Sequence, residues 1–148
     1  MFTLTPEVPV PSAVLAAVRE AVETALRLTH QPSDADLTIL ITDDSAIRRL
    51  NRDFMGKDAP TDVLSFPAGE RDPESGKLYL GDIVISYPRA QEQASQGGHA
   101  VAHEMQLLSV HGLLHLLGYD HLTPGDKRRM WEQQAAILKE IGCPLTPP

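Results

Sequence analysis

Residues 111–121 read His-Gly-Leu-Leu-His-Leu-Leu-Gly-Tyr-Asp-His, three histidines at i, i+4 and i+10 with a glycine between the second and third. On an α-helix four residues advance about 400°, so His111 and His115 stand roughly 40° apart and about 6 Å along one face. Gly118 is the residue type that most easily leaves a helix in a left-handed conformation. That lets the chain turn back and bring His121 to the same point from outside the helix. The run therefore demands a helix, its terminator and a returning segment that converge on one ion. Three neutral imidazoles fill three corners of a tetrahedral zinc site and leave the fourth open to water, the arrangement of a catalytic rather than a structural centre. A lone histidine is most often a cap or a core residue. Three at this spacing, with glycine at the turn, point to one zinc ion per chain on His111, His115 and His121.

The same spacing occurs in the metzincin proteases, which also have glycine at the place of Gly118. Those proteases carry a glutamate directly after the first histidine as general base, and here that position is Gly112. Peptide hydrolysis by that route is not expected.

Further blocks lie upstream. Leu50 and Asn51 precede Gly-Lys-Asp-Ala-Pro-Thr-Asp-Val-Leu-Ser-Phe at 56–66, and Leu-Gly-Asp-Ile-Val-Ile-Ser follows at 80–86. With the histidine block and its Leu113 and Leu116, these resemble in order the YbeY family of small bacterial metal-dependent endoribonucleases, over roughly residues 35–141. The resemblance implies zinc on His111, His115 and His121, and cleavage of single-stranded RNA in ribosomal RNA maturation and ribosome quality control. It also implies ribosomal RNA and the small ribosomal subunit as partners, and a site that opens into a groove between the sheet edge and the metal helix. One position departs from the pattern. The residue before Gly-Lys-Asp is commonly an arginine thought to assist RNA cleavage, and here it is Met55, whose thioether cannot hold a phosphate. Either a neighbouring cation such as Arg52 or Lys57 substitutes, or this member is a weaker nuclease.

With 148 residues, 42% of them hydrophobic, the chain suffices for one domain and its core, taken as 1–148, and is too short for two. No apolar run reaches the roughly 18–20 residues of a membrane span, and no signal-peptide pattern opens the sequence, so a cytoplasmic protein with no membrane partner is expected. The single cysteine, Cys143, excludes an internal disulfide and receives no function. A net charge of −7 argues against a broad basic nucleic-acid surface. Cations gather only at Arg48, Arg49, Arg52 and Lys57 and again at Lys127, Arg128 and Arg129. Each cluster is either a solvated helix face or a phosphate contact, with Arg48, Arg52 and Lys57 the candidate substrate-binding set.

The pattern along the chain predicts a short edge strand over 1–5, an extended Pro-rich connector over 6–11, and an amphipathic helix over 12–29 capped by Ser12. A strand over 36–42 leads to a helix over 44–54, capped by Asp43 and Asp44, with Ile47, Leu50 and Phe54 on its apolar face. Strands follow over 63–66 and 78–86, joined by a loop or flap over 67–77 able to cover the site. Asp82 reads as a bulge residue or as a carboxylate that orients a histidine. Helices over 88–96, 100–117 and from 123 onward complete the chain, and the final Pro-Leu-Thr-Pro-Pro is expected to fray.

Glu104 lies about 10 Å back along the metal helix, too far to ligate, and reads as a buried paired carboxylate or an acid–base group. His99 and His103 read as surface or capping residues. Asp120 is placed to hold a backbone amide or an imidazole N–H, and Met130 to fill the core or lie under the zinc. The fold class is α/β (α+β), a small mixed sheet with the zinc-binding helix packed on it and a metzincin-like metal site. The leading reading is a zinc-dependent endoribonuclease. The alternatives are a ribosome assembly factor with weak or no cleavage and a metallopeptidase. The general base and the oligomeric state are not legible.

Overall fold

β-Branched and aliphatic residues at alternate positions, Leu37, Ile39 and Ile41, are all fully buried, and they commit residues Asp36–Thr42 to a strand against a helical layer. The computed structural model of the protein describes residues 2–145. In chain order the elements are β1 (Thr3–Pro6), α1 (Ser12–Leu28), β2 (Asp36–Thr42), α2 (Asp44–Met55), β3 (Val63–Arg71), β4 (Leu78–Ser86), α3 (Tyr87–Gly97), α4 (Val101–Leu116) and α5 (Pro124–Glu140). The sheet order is β1-β2-β4-β3. β1, β2 and β4 are parallel and β3 is antiparallel to β4. This is the expected mixed sheet in an α/β fold.

One face of the sheet buries Leu37, Ile39, Ile41, Ile83 and Ile85 against Val18, Val22, Leu113 and Leu114 of α1 and α4. The other face holds a smaller cluster of Ile47, Leu64 and Val84 beneath α2. α4 is apolar nearly all round, with Met105, Leu108, Val110, Leu113, Leu114 and Leu116 buried. Such a helix is stable only at the centre of a fold, and α4 touches α1, α3, α5, β3 and β4. Its last turn therefore comes rigidly to β3, the strand at one edge of the sheet.

Three details differ from the sequence reading. Ser12 does not cap α1; Pro11 occupies that place with no side-chain hydrogen bond, and its carbonyl accepts from the amides of Val14 and Leu15. Phe54 stays 68% exposed, because in the last turn of α2 its ring meets Phe66 edge-on rather than entering the core. β3 continues to Arg71, so the expected loop shrinks to residues 72–77. The register shifts between Pro67 and Glu70 opposite Gly81, where Pro67 has no amide to donate and a Cβ on Gly81 would stand 2.3 Å from the Phe66 carbonyl oxygen. Asp82 follows the register shift between β2 and β4, in line with its bulge reading, and lies on the sheet face opposite the histidines, beside Phe54, Phe66 and Val84, where it accepts from the Tyr79 hydroxyl. The Asp43 side chain caps α2 as expected, accepting from Ala46 N at 2.8 Å.

Of the tail expected to fray, residues 146–148 lie outside the described residues, as does Met1, while Leu145 packs on the main core. Among the described residues no helix is long and apolar enough to cross a membrane.

Candidate metal centre

The last turn of α4 presents His111 and His115 one above the other, with ring centroids 4.6 Å apart. The helix then closes in the manner expected of a glycine terminator. Gly118 takes φ +95°, its amide bonds to the His115 carbonyl at 3.1 Å, and the Tyr119 amide reaches back to the Leu114 carbonyl at 3.0 Å. This paired bonding around a left-handed residue is a Schellman motif. It reverses the chain so that His121 stands 5.4 Å from His115 and 6.2 Å from His111, ring centre to ring centre. Asp120 accepts from the His121 amide at 2.7 Å, and the same oxygen stands 4.0 Å from His121 Nδ1.

One nitrogen from each of the three imidazoles lies within 4.8 Å of the others, and the Nε2 atoms of His111 and His115 are 3.1 Å apart. Nitrogens around a tetrahedral zinc with bonds of about 2.0–2.1 Å stand roughly 3.3 Å from one another, so this pair is already at ligand spacing. Half-exposed His121 has room to close the remainder. A set of three imidazoles suits zinc and also nickel, cobalt or copper. Burial holds the His111 imidazole below the ordinary value of 6.5, against the opposing effect of its bond to Gln134. Burial first, and then the neighbouring His111 and His121, lowers His115 as well. Both are thus neutral, the form that binds metal, at neutral pH.

Gly112 has a packing role. A Cβ there would lie 2.8 Å from Ile83 Cγ2 and 3.3 Å from Ser65 Oγ, so a glutamate would collide with the sheet. The Ser65 hydroxyl donates to the Gly112 carbonyl at 2.9 Å, tying β3 to α4. Between them opens a cleft of about 710 Å³ that runs from the three histidines past Thr61, Asp62 and Ser65 to Asn51, Met55 and Lys57. This is a groove between a sheet edge and the histidine helix, as the resemblance implied.

The cationic candidates divide. Lys57 lines the cleft; Arg48 and Arg52 are not among its lining residues. Arg48 pairs with Asp58 at 2.8 Å and Arg52 with Asp53 at 3.1 Å, all half exposed. The reason is helical phase: Asn51 and Met55 form the stripe of α2 that faces the cleft, and the arginine stripe lies about 60° round the helix. The second cluster is also engaged, with Lys127 over the Trp131 ring at 5.3 Å and Arg129 paired with Asp126.

Glu104 is buried and pairs with His99 Nε2 at 2.7 Å; its expected partner is thus a histidine that read as ordinary. Met130 is fully buried in the main core, and Cys143 is free and buried. The sequence reading passed over Gln134, whose Oε1 lies 2.9 Å from His111 Nδ1, and Trp131, whose ring stands edge-on 6.1 Å from both His111 and His121. One signal was available for the first: Gln134 falls one turn after Met130 and one before Leu138, a polar residue inside an apolar stripe.

Comparison with known proteins agrees with the geometry. The family model described as Endoribonuclease YbeY matches residues 5–142. A Moorella thermoacetica protein named Endoribonuclease YbeY is 41% identical over 141 residues, 90% of each chain. A Geobacillus kaustophilus protein of the same name is 46% identical over 125 residues, 80% of each chain. The solution structure of a Thermotoga maritima protein superposes with a TM-score of 0.67 at 26% identity, covering 95% of this chain and 89% of that one.

Proposed function

The chain belongs to the YbeY endoribonuclease family, and from that premise we propose that it hydrolyses phosphodiesters of single-stranded ribosomal RNA at the three-histidine centre, in maturation and quality control of the small ribosomal subunit. His111, His115 and His121 hold one metal ion in this reading, zinc being the best match to three imidazoles. When bound, such an ion supplies Lewis-acid polarisation of a phosphoryl oxygen and of water. The observation that carries the reading is the convergence of three imidazole nitrogens within 4.8 Å at one end of the cleft that reaches Lys57.

The chain's own residues bind and align the substrate. Lys57 offers a point charge to a phosphate. It is held there because Gly56 ends α2 in the left-handed region and the Asn51 side-chain Nδ2 donates to the Ala59 carbonyl at 2.9 Å. Asp62 and Asp120 also line the cleft and are the carboxylates available to take a proton. A concave cleft of this kind accepts a splayed single strand better than the rigid A-form duplex. With a net charge of −7, affinity rests on few phosphate contacts and falls only gently with salt. We place the protein in the cytoplasm on the same premise, as a single domain.

A second reading, an assembly factor with weak cleavage, is favoured by Met55, an uncharged residue on the cleft wall where the family pattern has arginine. Assay of purified small-subunit ribosomal RNA with metal-loaded wild type, His115→Ala and Met55→Arg separates the two. Cleavage by wild type, lost in His115→Ala, is the expected result. Cleavage by Met55→Arg alone would leave assembly as the function. Peptide hydrolysis finds no support, since Gly112 is packed against Ile83.

A further inference from the structure

Gln134 is fully buried on α5, a position where an apolar residue would ordinarily pack. Its side-chain Nε2 is buried with no hydrogen-bond partner, an arrangement that lowers stability. Its Oε1 is 2.9 Å from His111 Nδ1. An amide oxygen only accepts, so the proton of neutral His111 sits on Nδ1 and the lone pair on Nε2. That lone pair points toward His115 Nε2, 3.1 Å away. Free imidazole has no such constraint, and an Nε2–H tautomer of His111 would present a proton where the ion must go.

We propose that Gln134 is a positioning residue that locks His111 in the Nδ1–H tautomer, readying Nε2 as a metal ligand before the ion arrives. The inference rests on the reading of the three histidines as ligands and adds the residue that arms one of them. The unpaired Nε2 is the stability given up for that hold. The choice of an amide also matters. A carboxylate in this place would polarise the ring more strongly and make His111 a stronger donor, whereas a neutral oxygen orients the ring and leaves the bound ion more electrophilic.

The test compares wild type, Gln134→Met, which keeps the shape and loses the acceptor, Gln134→Glu, which keeps the acceptor, and His111→Ala. Three readouts are taken: the nitrogen NMR pattern of His111 in metal-free protein above pH 7, zinc affinity by chelator competition, and metal-free thermal stability. Wild type should show the Nδ1–H tautomer, and Gln134→Met a shift toward Nε2–H. Zinc affinity should fall about 10–100-fold in Gln134→Met and hold within a few-fold in Gln134→Glu. Thermal stability of Gln134→Met should change little, because removal of the unpaired Nε2 offsets the lost acceptor of His111 Nδ1–H. A plain packing role predicts the reverse: lower stability with unchanged zinc affinity and tautomer, and that result overturns the proposal. If His111→Ala abolishes zinc binding and Gln134→Met binds as wild type, Gln134 alone is refuted. Should His111→Ala leave zinc affinity intact, the ligand reading itself fails, while the NMR pattern still judges the hold of Gln134 on the ring.

Discussion

Two helices end at the cleft, and each ends at a glycine in the left-handed region: α4 at Gly118, φ +95°, and α2 at Gly56, φ +73°. Both turns bring a functional candidate to the groove, His121 after Gly118 and Lys57 after Gly56. The walls they build are nevertheless unlike. The α4 wall is central; its His111 and His115 are half-buried and neutral at neutral pH, and Gln134 meets the His111 ring. On the α2 wall the cleft-facing Met55 offers no charge, and the arginines of the helix are turned from the cleft and paired with Asp58 and Asp53. On the proposed function, the contrast separates a metal centre that chemistry requires to be rigid from a substrate surface with Lys57 as its cation.

The largest expected effect tests that contrast directly. His115→Ala should lower RNA cleavage by about a thousandfold or more, as loss of a metal ligand removes most of the catalytic power. Arg48→Ala, on α2 but turned away from the cleft, should stay within about twofold, because its ion pair with Asp58 is exposed. Comparable losses in the two variants would erase the distinction between the walls.

The two glycines sharpen it. An alanine at a left-handed position costs about 1–2 kcal/mol, so Gly118→Ala and Gly56→Ala should lower unfolding stability by similar amounts in denaturant titration. Only Gly118→Ala should also weaken zinc binding, since it alone moves a ligand. Equal zinc affinity in both would detach the turn from the centre.

Acidity probes the burial of the α4 wall. His111 and His115 titrate below the ordinary imidazole value because burial disfavours their charged forms. Their folded values lie below the unfolded one of about 6.5, so between the two the unfolded chain binds more protons. The stability they contribute is complete above the unfolded value and is lost as pH falls through the folded values. Metal-free protein followed by denaturant unfolding from pH 8 to pH 5 should therefore weaken on acidification, and less so in His111→Phe. A flat profile would place both rings in water.

The smallest effect belongs to the α2 wall. Lys57→Ala should raise the RNA dissociation constant several-fold and reduce the slope of log affinity against log salt by about 0.7, the value for one phosphate contact on a single strand. Arg52→Ala should leave that slope unchanged. Equal slopes in Lys57→Ala and wild type would remove Lys57 from the binding surface.

What the sequence determined by itself is what short-range geometry controls. The spacing of His111, His115 and His121 around Gly118 follows from helix pitch and one permissive backbone position. The strand at Asp36–Thr42 and the cap at Asp43 follow from alternation and a single side-chain acceptor. Tertiary structure alone decided which residues meet from distant segments. Gln134 reaches His111 across 23 positions, Glu104 takes His99 rather than an arginine or lysine, and Gly112 is empty because Ile83 of β4 lies against it. It also sorted the cations, since a basic run looks the same in sequence whether it faces the cleft or an aspartate. Local periodicity fixes which side of a helix a residue occupies, and only the packing of helix on sheet fixes what that side meets.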